Sequence, residues 1–194
     1  MNDPAIDEEE ARSRFLLTGP VRADAVAAVL DQLQPAGMIV DAGWDRQLLH
    51  VAQDYGAALL VEDDVDPDAD GVHLTDPGRV AEMRSIIDQK KHRQILGADV
   101  GFSRHDAMVA GEAGADYVAF GERSKSADDA VFELVAWWRQ VTVMPSLAYA
   151  GDAETAAKLA RIGADFIGVS TAIWEHPEGS DVAAGKMAAI LERF

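Results

Sequence analysis

The chain has 194 residues, with 17 Lys and Arg against 34 Asp and Glu, so its formal net charge is −17. Because 48% of the residues are hydrophobic, the chain can fill a core and is not a disordered acidic segment. The absence of Cys excludes disulfides, thiolate metal sites and a Cys nucleophile. The negative charge predicts that nucleic acid is not a partner, since its phosphates are bound through Lys and Arg.

Residues 1–12, MNDPAIDEEEAR, are acidic and contain no apolar stretch of the kind found in secretion signals. They predict a flexible acidic tail, followed by a single domain over residues 13–194, a length typical of one domain. No apolar run approaches the ~20 residues that a membrane span needs. We therefore expect a cytoplasmic protein that has no membrane partner.

Eight short runs rich in β-forming residues alternate with longer stretches in which apolar residues have helical spacing. Several of the runs, such as AALLV and DYVAF, are apolar almost throughout, which is typical of parallel strands covered on both faces. The predicted strands are residues 14–18, 38–41, 57–62, 71–75, 93–98, 116–120, 142–149 and 165–169.

The alternation of strands and helices places the chain in the α/β class. Eight units, without an early G-x-G-x-x-G motif, predict a closed (β/α)₈ TIM barrel rather than an open doubly wound sheet. One connection differs from the others, since residues 61–70, VEDDVDPDAD, are too polar and too interrupted by Pro to form a regular helix.

Polar residues near the ends of the third and fourth predicted strands are candidates for binding, because chemistry in such barrels lies at the carboxyl ends of strands. Asp63 follows the third strand and is predicted as a Mg²⁺ ligand; the alternative is a solvated acidic loop. His73 lies within the fourth strand. It points into the barrel mouth or is a satisfied polar residue in an interior layer.

The loop after the sixth predicted strand, GERSKS at residues 121–126, combines a carboxylate, two cations and two hydroxyls. Glu122 is predicted as a catalytic general base, and Lys125 or Arg123 as a clamp for an anion. The alternative is that a Ser caps the following helix while the charged groups are solvated.

The loops after the seventh and eighth predicted strands are the place where barrels often hold a phosphate. Gly151 allows a ligand to approach the backbone closely, and Ser170 and Thr171 supply hydroxyl and amide donors. These three residues predict a phosphate-binding cup suited to an acidic protein. The alternative is ordinary helix capping.

Two stretches of the chain resemble the second half of thiamine phosphate synthase and of the related thiazole tautomerase. They are GADYVAFG (114–121) and PSLAYAGDAETAAKLARIGADFIGVSTAIW (145–174). The resemblance implies a (β/α)₈ barrel that couples hydroxymethylpyrimidine diphosphate to thiazole phosphate and releases diphosphate with Mg²⁺. By position, Asp63 matches a Mg²⁺-binding Asp, Gly151 the second Gly after strand seven, and Ser170 a Ser near the thiazole phosphate.

The chain also departs from this family's pattern. The diphosphate-gripping Gln-x-Arg-x-Lys after strand two is absent, Asp99 replaces the Ser of G-x-S, and Glu122 stands where the tautomerase has its catalytic His. Since a diphosphate carries roughly three negative charges, these changes predict weaker diphosphate binding. Two alternatives stay open: a tautomerase-like isomerase using Glu122, and a non-catalytic barrel. In each case the expected partner is a small phosphorylated heterocycle, and self-association into a homo-oligomer is left open.

Overall fold

In a computed structural model, which describes residues 13–21, 23–90, 93–191 and 193, eight parallel strands close into one barrel. Each strand pairs with the next along the chain, and the first pairs with the last. This confirms the predicted fold class. The strands are β1 (Arg14–Leu17), β2 (Gly37–Val40), β3 (Ala58–Glu62), β4 (Gly71–Leu74), β5 (Ile95–Gly101), β6 (Tyr117–Phe120), β7 (Ser146–Ala150) and β8 (Phe166–Val169).

Helices surround the barrel and cover the outer faces of its strands. As expected, no helix joins β3 to β4; a short 3₁₀ turn, Pro77–Arg79, follows β4 instead. No helix among the described residues is long and apolar enough to cross a membrane. The helices are α1 (Ala23–Leu33), α2 (Gln47–Asp54), α3 (Val80–Ile87), α4 (Arg104–Glu112), α5 (Asp129–Val141), α6 (Ala153–Ile162), α7 (Thr171–Trp174) and α8 (Ser180–Leu191).

Two strands differ from their predicted bounds by more than one residue. The seventh begins at Ser146 rather than at residue 142, because Pro145 has no N–H for the sheet and the Thr142 hydroxyl accepts a bond from the backbone of Met144. The fifth begins at Ile95 and continues past a bulge to Gly101. The predicted tail at residues 1–12 lies outside the described residues.

Two apolar layers hold the barrel together. The larger lies between the strands and the helices, where side chains such as Val26, Leu30 and Leu159 are wholly buried. The smaller fills the barrel interior and includes Leu60 and Tyr117. The strands therefore bring their carboxyl ends to one rim above a filled interior, as in other closed parallel barrels. We call this rim the mouth of the barrel.

Candidate functional site

A polar network of five side chains and one further carboxylate lies inside the barrel and extends from Tyr117, at the start of β6, to Arg123, in the loop after β6. Its centre is His73 on β4, which is 0% exposed. The Nδ1 atom of His73 is 2.7 Å from the hydroxyl of Tyr117, and Nε2 is 3.2 Å from Oδ1 of Asp99. His73 thus points into the interior and has polar neighbours there, as the interior-layer interpretation predicted.

Asp99 on β5 is the member of this network with the most contacts. The hydroxyl of Tyr149 on β7 donates a 2.7 Å hydrogen bond to its Oδ1, and Nη2 of Arg123 lies 3.8 Å from its Oδ2. The other terminal nitrogen of Arg123 donates to the carboxylate of Glu62, at the end of β3. One guanidinium is therefore shared between two carboxylates.

The protonation states in this network follow from burial and from the contacts. Burial alone would raise the pKa of Asp99, but the contact with the His73 ring, the hydrogen bond from Tyr149 and the charge of Arg123 bring the pKa below its ordinary value. Burial, together with the neighbouring Asp99 carboxylate, raises the pKa of both Tyr117 and Tyr149. Asp99 is therefore an ionised acceptor, and both phenols keep their protons.

Asp63, the predicted magnesium ligand, lies at the mouth with its carboxylate already engaged. The backbone N–H and the hydroxyl of Thr75 donate to its two oxygens, and Nη1 of Arg79 lies 3.2 Å from Oδ1. A guanidinium at this distance opposes a cation on the same carboxylate. Within the described ranges, no group of three His, Asp or Glu side chains could hold a metal ion. The residues present do not fit a resident Mg²⁺.

The loop after β6 separates its two cations. Arg123 turns inward to Glu62, whereas Lys125 forms a 2.8 Å ion pair with Glu122, and both of these side chains are exposed. Glu122 and Tyr149 both line a small cavity. The structure thus places Glu122 and Lys125 together at the edge of the mouth, and their catalytic role stays a prediction.

Two of the three residues of the predicted phosphate cup line one cavity of about 300 Å³. They are Gly151 and Thr171, and the same cavity receives Lys186 from α8. The third residue, Ser170, lies against Gly19 after β1, where an added Cβ would be 2.3 Å from its hydroxyl. The structure therefore joins the loops after β7 and β8 as expected, while the Ser170 side chain faces the loop after β1.

The donors of the cup have competing partners in the protein. The backbone N–H of Gly151 donates to the hydroxyl of Ser126 at 3.0 Å. The Asp152 carboxylate caps α6 by accepting from the N–H of Thr155. Lys186 forms an ion pair with Glu178, on the connection before α8. A phosphate that enters the cup has to replace some of these contacts.

The sequence did not single out Asp99, Tyr149 or Lys186 as site residues. Asp99 and Tyr149 lie inside strands, and their hydrogen bond joins residues 50 positions apart. A signal was present in the chain, because Asp99 is a carboxylate in an otherwise apolar strand that the barrel buries. Lys186 lies on a C-terminal helix, and nothing in its sequence neighbourhood indicates the cup.

Comparison with known sequences indicates a single family. A family model described as "Thiamine monophosphate synthase" matches residues 43–173. Over 153 residues the chain is 36% identical to the thiamine-phosphate synthase of Hyphomonas neptunium, which covers 73% of this chain and 68% of that protein. It is 42% identical over 125 residues to the thiamine-phosphate synthase of Erythrobacter litoralis, covering 60% of this chain and 57% of that protein.

Among solved structures, the barrel is similar to a thiamine phosphate pyrophosphorylase from Pyrococcus furiosus. The TM-score is 0.77 at 22% sequence identity, and the match covers 94% of this chain and 96% of that one. At this identity the structural likeness concerns the fold alone.

Proposed function

Because the chain belongs to the thiamine monophosphate synthase family, we propose that it acts in thiamine biosynthesis. The proposed reaction joins hydroxymethylpyrimidine diphosphate to thiazole phosphate and releases diphosphate. The observation that carries the proposal is the extent of the family match, residues 43–173, which includes every polar residue described at the mouth from Glu62 to Thr171. The barrel supports it by bringing these residues to one rim.

The chemistry requires one bond to break and one to form. The bond between the pyrimidine methylene carbon and the diphosphate oxygen breaks, and its electron pair leaves with the diphosphate. The thiazole nitrogen then attacks the methylene cation, and the new C–N bond leaves the ring positively charged. No oxidant is needed, and no proton is transferred in these steps. The protein has to bind two anions, hold the two rings together and stabilise a cation.

The phosphate of the thiazole is assigned to the cup, where Gly151 and Thr171 would supply donors that the sequence predicted, whereas the Ser170 side chain faces Gly19. Lys186 adds the positive charge that these three residues lack. Its ion pair with Glu178 is exposed, so the exchange of this partner for a phosphate costs little.

The leaving diphosphate is assigned to Lys125, in the loop after β6. Lys125 is exposed at the edge of the mouth and can turn from Glu122 to an anion. In this arrangement Glu122 positions Lys125 before the diphosphate binds. Magnesium remains a prediction that comes from the family, and no step is assigned to it here, because Asp63 is held by Thr75 and Arg79.

The test is a coupling assay in which both substrates are mixed with the full chain, with and without Mg²⁺. We expect thiamine phosphate and diphosphate to form in equal amounts. If neither product forms in the presence or in the absence of Mg²⁺, the proposal is contradicted. If the protein exchanges a ring proton of the substrate with solvent and Glu122→Gln abolishes this exchange, the isomerase is favoured. Binding of the substrates without any turnover would favour the non-catalytic barrel.

A pair of variants tests the cup separately. Lys186→Gln should weaken the binding of thiazole phosphate by roughly 3- to 10-fold, about 0.7–1.4 kcal/mol, because it removes a charge that faces the anion. Lys158→Gln is the matched control, since Lys158 is also exposed and paired with a Glu, but on the surface of α6. Titration calorimetry measures both. Equal effects of the two substitutions on this affinity would show that Lys186 does not contact the bound phosphate.

A further inference from the structure

Asp63, at the end of β3, is fixed both by its own backbone and by Thr75. Its φ angle is +54°, in the left-handed region that residues other than glycine seldom adopt. The backbone N–H of Thr75 donates to Oδ1 at 3.1 Å, and the Thr75 hydroxyl donates to Oδ2. Each oxygen of the carboxylate thus has a donor from the loop after β4. The direction in which this negative charge points is therefore set before any ligand binds.

Arg79 provides the positive charge beside this fixed carboxylate. It ends the 3₁₀ turn after β4, and its Nη1 lies 3.2 Å from Oδ1 of Asp63. Within the described residues Asp63 is its one ion-pair partner, and the Arg79 side chain is 40% exposed. A guanidinium has five N–H donors, so a contact through one of them leaves others for a ligand. Arg79 is therefore a cation that is held at the mouth and has further donors available.

The other carboxylates at this part of the mouth are engaged as well. That of Glu62, the last residue of β3, accepts a hydrogen bond from Arg123. That of Asp76 accepts from the backbone N–H of Gly78 at 2.9 Å and caps the 3₁₀ turn. Since Mg²⁺ binds through carboxylate oxygens, an ion at Asp63 would have to displace a guanidinium without gaining a second carboxylate from Glu62 or Asp76. Phosphoryl oxygens, in contrast, would meet cations that are already in place.

Arg79 and Arg123 contact the carboxylates of two consecutive residues. Asp63 follows Glu62 directly, and consecutive Cα atoms are about 3.8 Å apart. Arg123 comes from the loop after β6, which also carries Lys125. The loops after β4 and β6 therefore meet at the end of β3, and the guanidinium of Arg79 lies on the side of the mouth that this second loop borders.

We propose that the guanidinium of Arg79 takes the place of a magnesium ion at the mouth, so that the chain binds the diphosphate group of its substrate without a divalent cation. The proposal rests on the proposed function, which assigns the leaving diphosphate to Lys125 in the neighbouring loop. Arginine binds phosphoryl oxygens through charge-assisted and often bidentate hydrogen bonds. Asp63 is then a positioning residue rather than a metal ligand, because it reaches the diphosphate only through Arg79.

Binding of inorganic diphosphate tests the proposal without any turnover. The full chain is titrated by calorimetry in EDTA and again in excess Mg²⁺. We expect the wild type to bind diphosphate in EDTA and to gain less than about threefold in affinity from Mg²⁺. Arg79→Gln should weaken binding in EDTA by roughly tenfold and make it depend on Mg²⁺, because the substitution frees the carboxylate of Asp63. No binding by the wild type in EDTA, or a larger gain from Mg²⁺, would overturn the proposal.

A second substitution assigns the effect to Asp63. Arg79→Gln should bind an additional Mn²⁺ ion that the wild type does not bind, measured as the loss of the free Mn²⁺ signal in electron paramagnetic resonance. Adding Asp63→Asn should remove both this ion and the Mg²⁺ dependence of diphosphate binding. Equal uptake of Mn²⁺ by the wild type and by Arg79→Gln would contradict the exchange of a metal for a guanidinium.

Arg93→Gln is the matched control. Arg93 is also an exposed arginine paired with one Asp, but it lies before β5 at the opposite end of the barrel, against Asp116. The substitution changes the net charge by the same amount and should leave diphosphate binding and Mn²⁺ uptake unchanged. An effect equal to that of Arg79→Gln would contradict the assignment to Arg79.

The same measurements separate this proposal from the proposed reaction. A chain that binds diphosphate through Arg79 in EDTA but couples no substrates refutes only the reaction. A chain that couples the substrates only when Mg²⁺ is present refutes only the role of Arg79.

Discussion

The hydroxyl of Tyr149 donates a 2.7 Å hydrogen bond to Oδ1 of Asp99, so a side chain of β7 is tied to one of β5 across the interior, with β6 between them. The phenol is buried, and the carboxylate is ionised. This bond holds Asp99 in place beneath the mouth. It also couples the strand that ends at the phosphate cup to the negative charge inside the barrel.

Tyr149→Phe should lower the free energy of unfolding by about 1.5–3 kcal/mol, the range for a hydrogen bond to a charged group. The change removes the phenol donor while keeping the ring that fills the interior. Urea denaturation at neutral pH measures it. Tyr55→Phe is the control, because Tyr55 is exposed at the end of α2 and should change stability by less than about 0.5 kcal/mol. Equal effects of the two substitutions would show that the bond to Asp99 adds nothing.

The stability that the ionised Asp99 provides should be lost as the pH is lowered. Its pKa in the folded chain lies below the ordinary value of 3.8, so the unfolded chain binds more protons in the interval between the two. The contribution is therefore complete above about pH 4 and is lost as the pH falls through the folded pKa.

Asp99→Asn isolates this dependence. The difference in unfolding free energy between the wild type and Asp99→Asn should be largest near pH 7 and should shrink on acidification below about pH 4. Urea denaturation at pH 7, 4 and 3 measures it. Glu133→Gln, on the exposed side of α5, should give a small difference throughout. A difference for Asp99→Asn that grows on acidification would contradict the sign.

The alternation of apolar runs and helical stretches was sufficient to predict the barrel. Because each parallel strand is covered on both faces, its residues are apolar in an unbroken run that the sequence shows directly. In Tyr117–Phe120, for example, all four residues are buried. Strand ends were predicted less well, because local features such as Pro145 and the bulge after Asp99 decide them.

The site could be predicted only in part, because spacing along the chain does not tell which way a loop side chain turns. Arg123 and Lys125 are two residues apart, yet one bonds Glu62 inside the barrel and the other Glu122 on the surface. Ser170 was expected in the cup and instead contacts Gly19, at the far end of the chain. Barrel closure, rather than any local pattern, brings these pairs together.

Arg123→Met should destabilise the chain by more than about 2 kcal/mol, because it leaves the carboxylates of Glu62 and Asp99 facing each other without a cation. Adding Glu62→Gln should recover part of the loss, since one of the two charges is then removed. Arg46→Met is the control: Arg46 is 59% exposed and pairs with Asp66 and Asp68 on the surface. Its loss should cost less than about 1 kcal/mol. A similar cost for both single variants, measured by urea denaturation, would show that the shared guanidinium is not needed.

Gly97→Ala tests the packing beneath the network. A Cβ on Gly97 would lie 2.0 Å from the ring of Tyr117, whose hydroxyl is fixed against His73. Since the ring is buried and cannot move without breaking that contact, we expect a loss of about 2–3 kcal/mol in unfolding free energy.

Gly185→Ala is the matched control for the added methyl group. Gly185 lies within α8, and the nearest atom to its added Cβ, the side-chain oxygen of Gln32, is 3.5 Å away. Without a clash, alanine should stabilise the helix by up to ~1 kcal/mol. Opposite signs for the two variants in thermal or urea denaturation would confirm that Gly97 is required by the close approach of Tyr117. A neutral Gly97→Ala would mean that the ring has room to move, and that His73 is held less firmly than its contacts indicate.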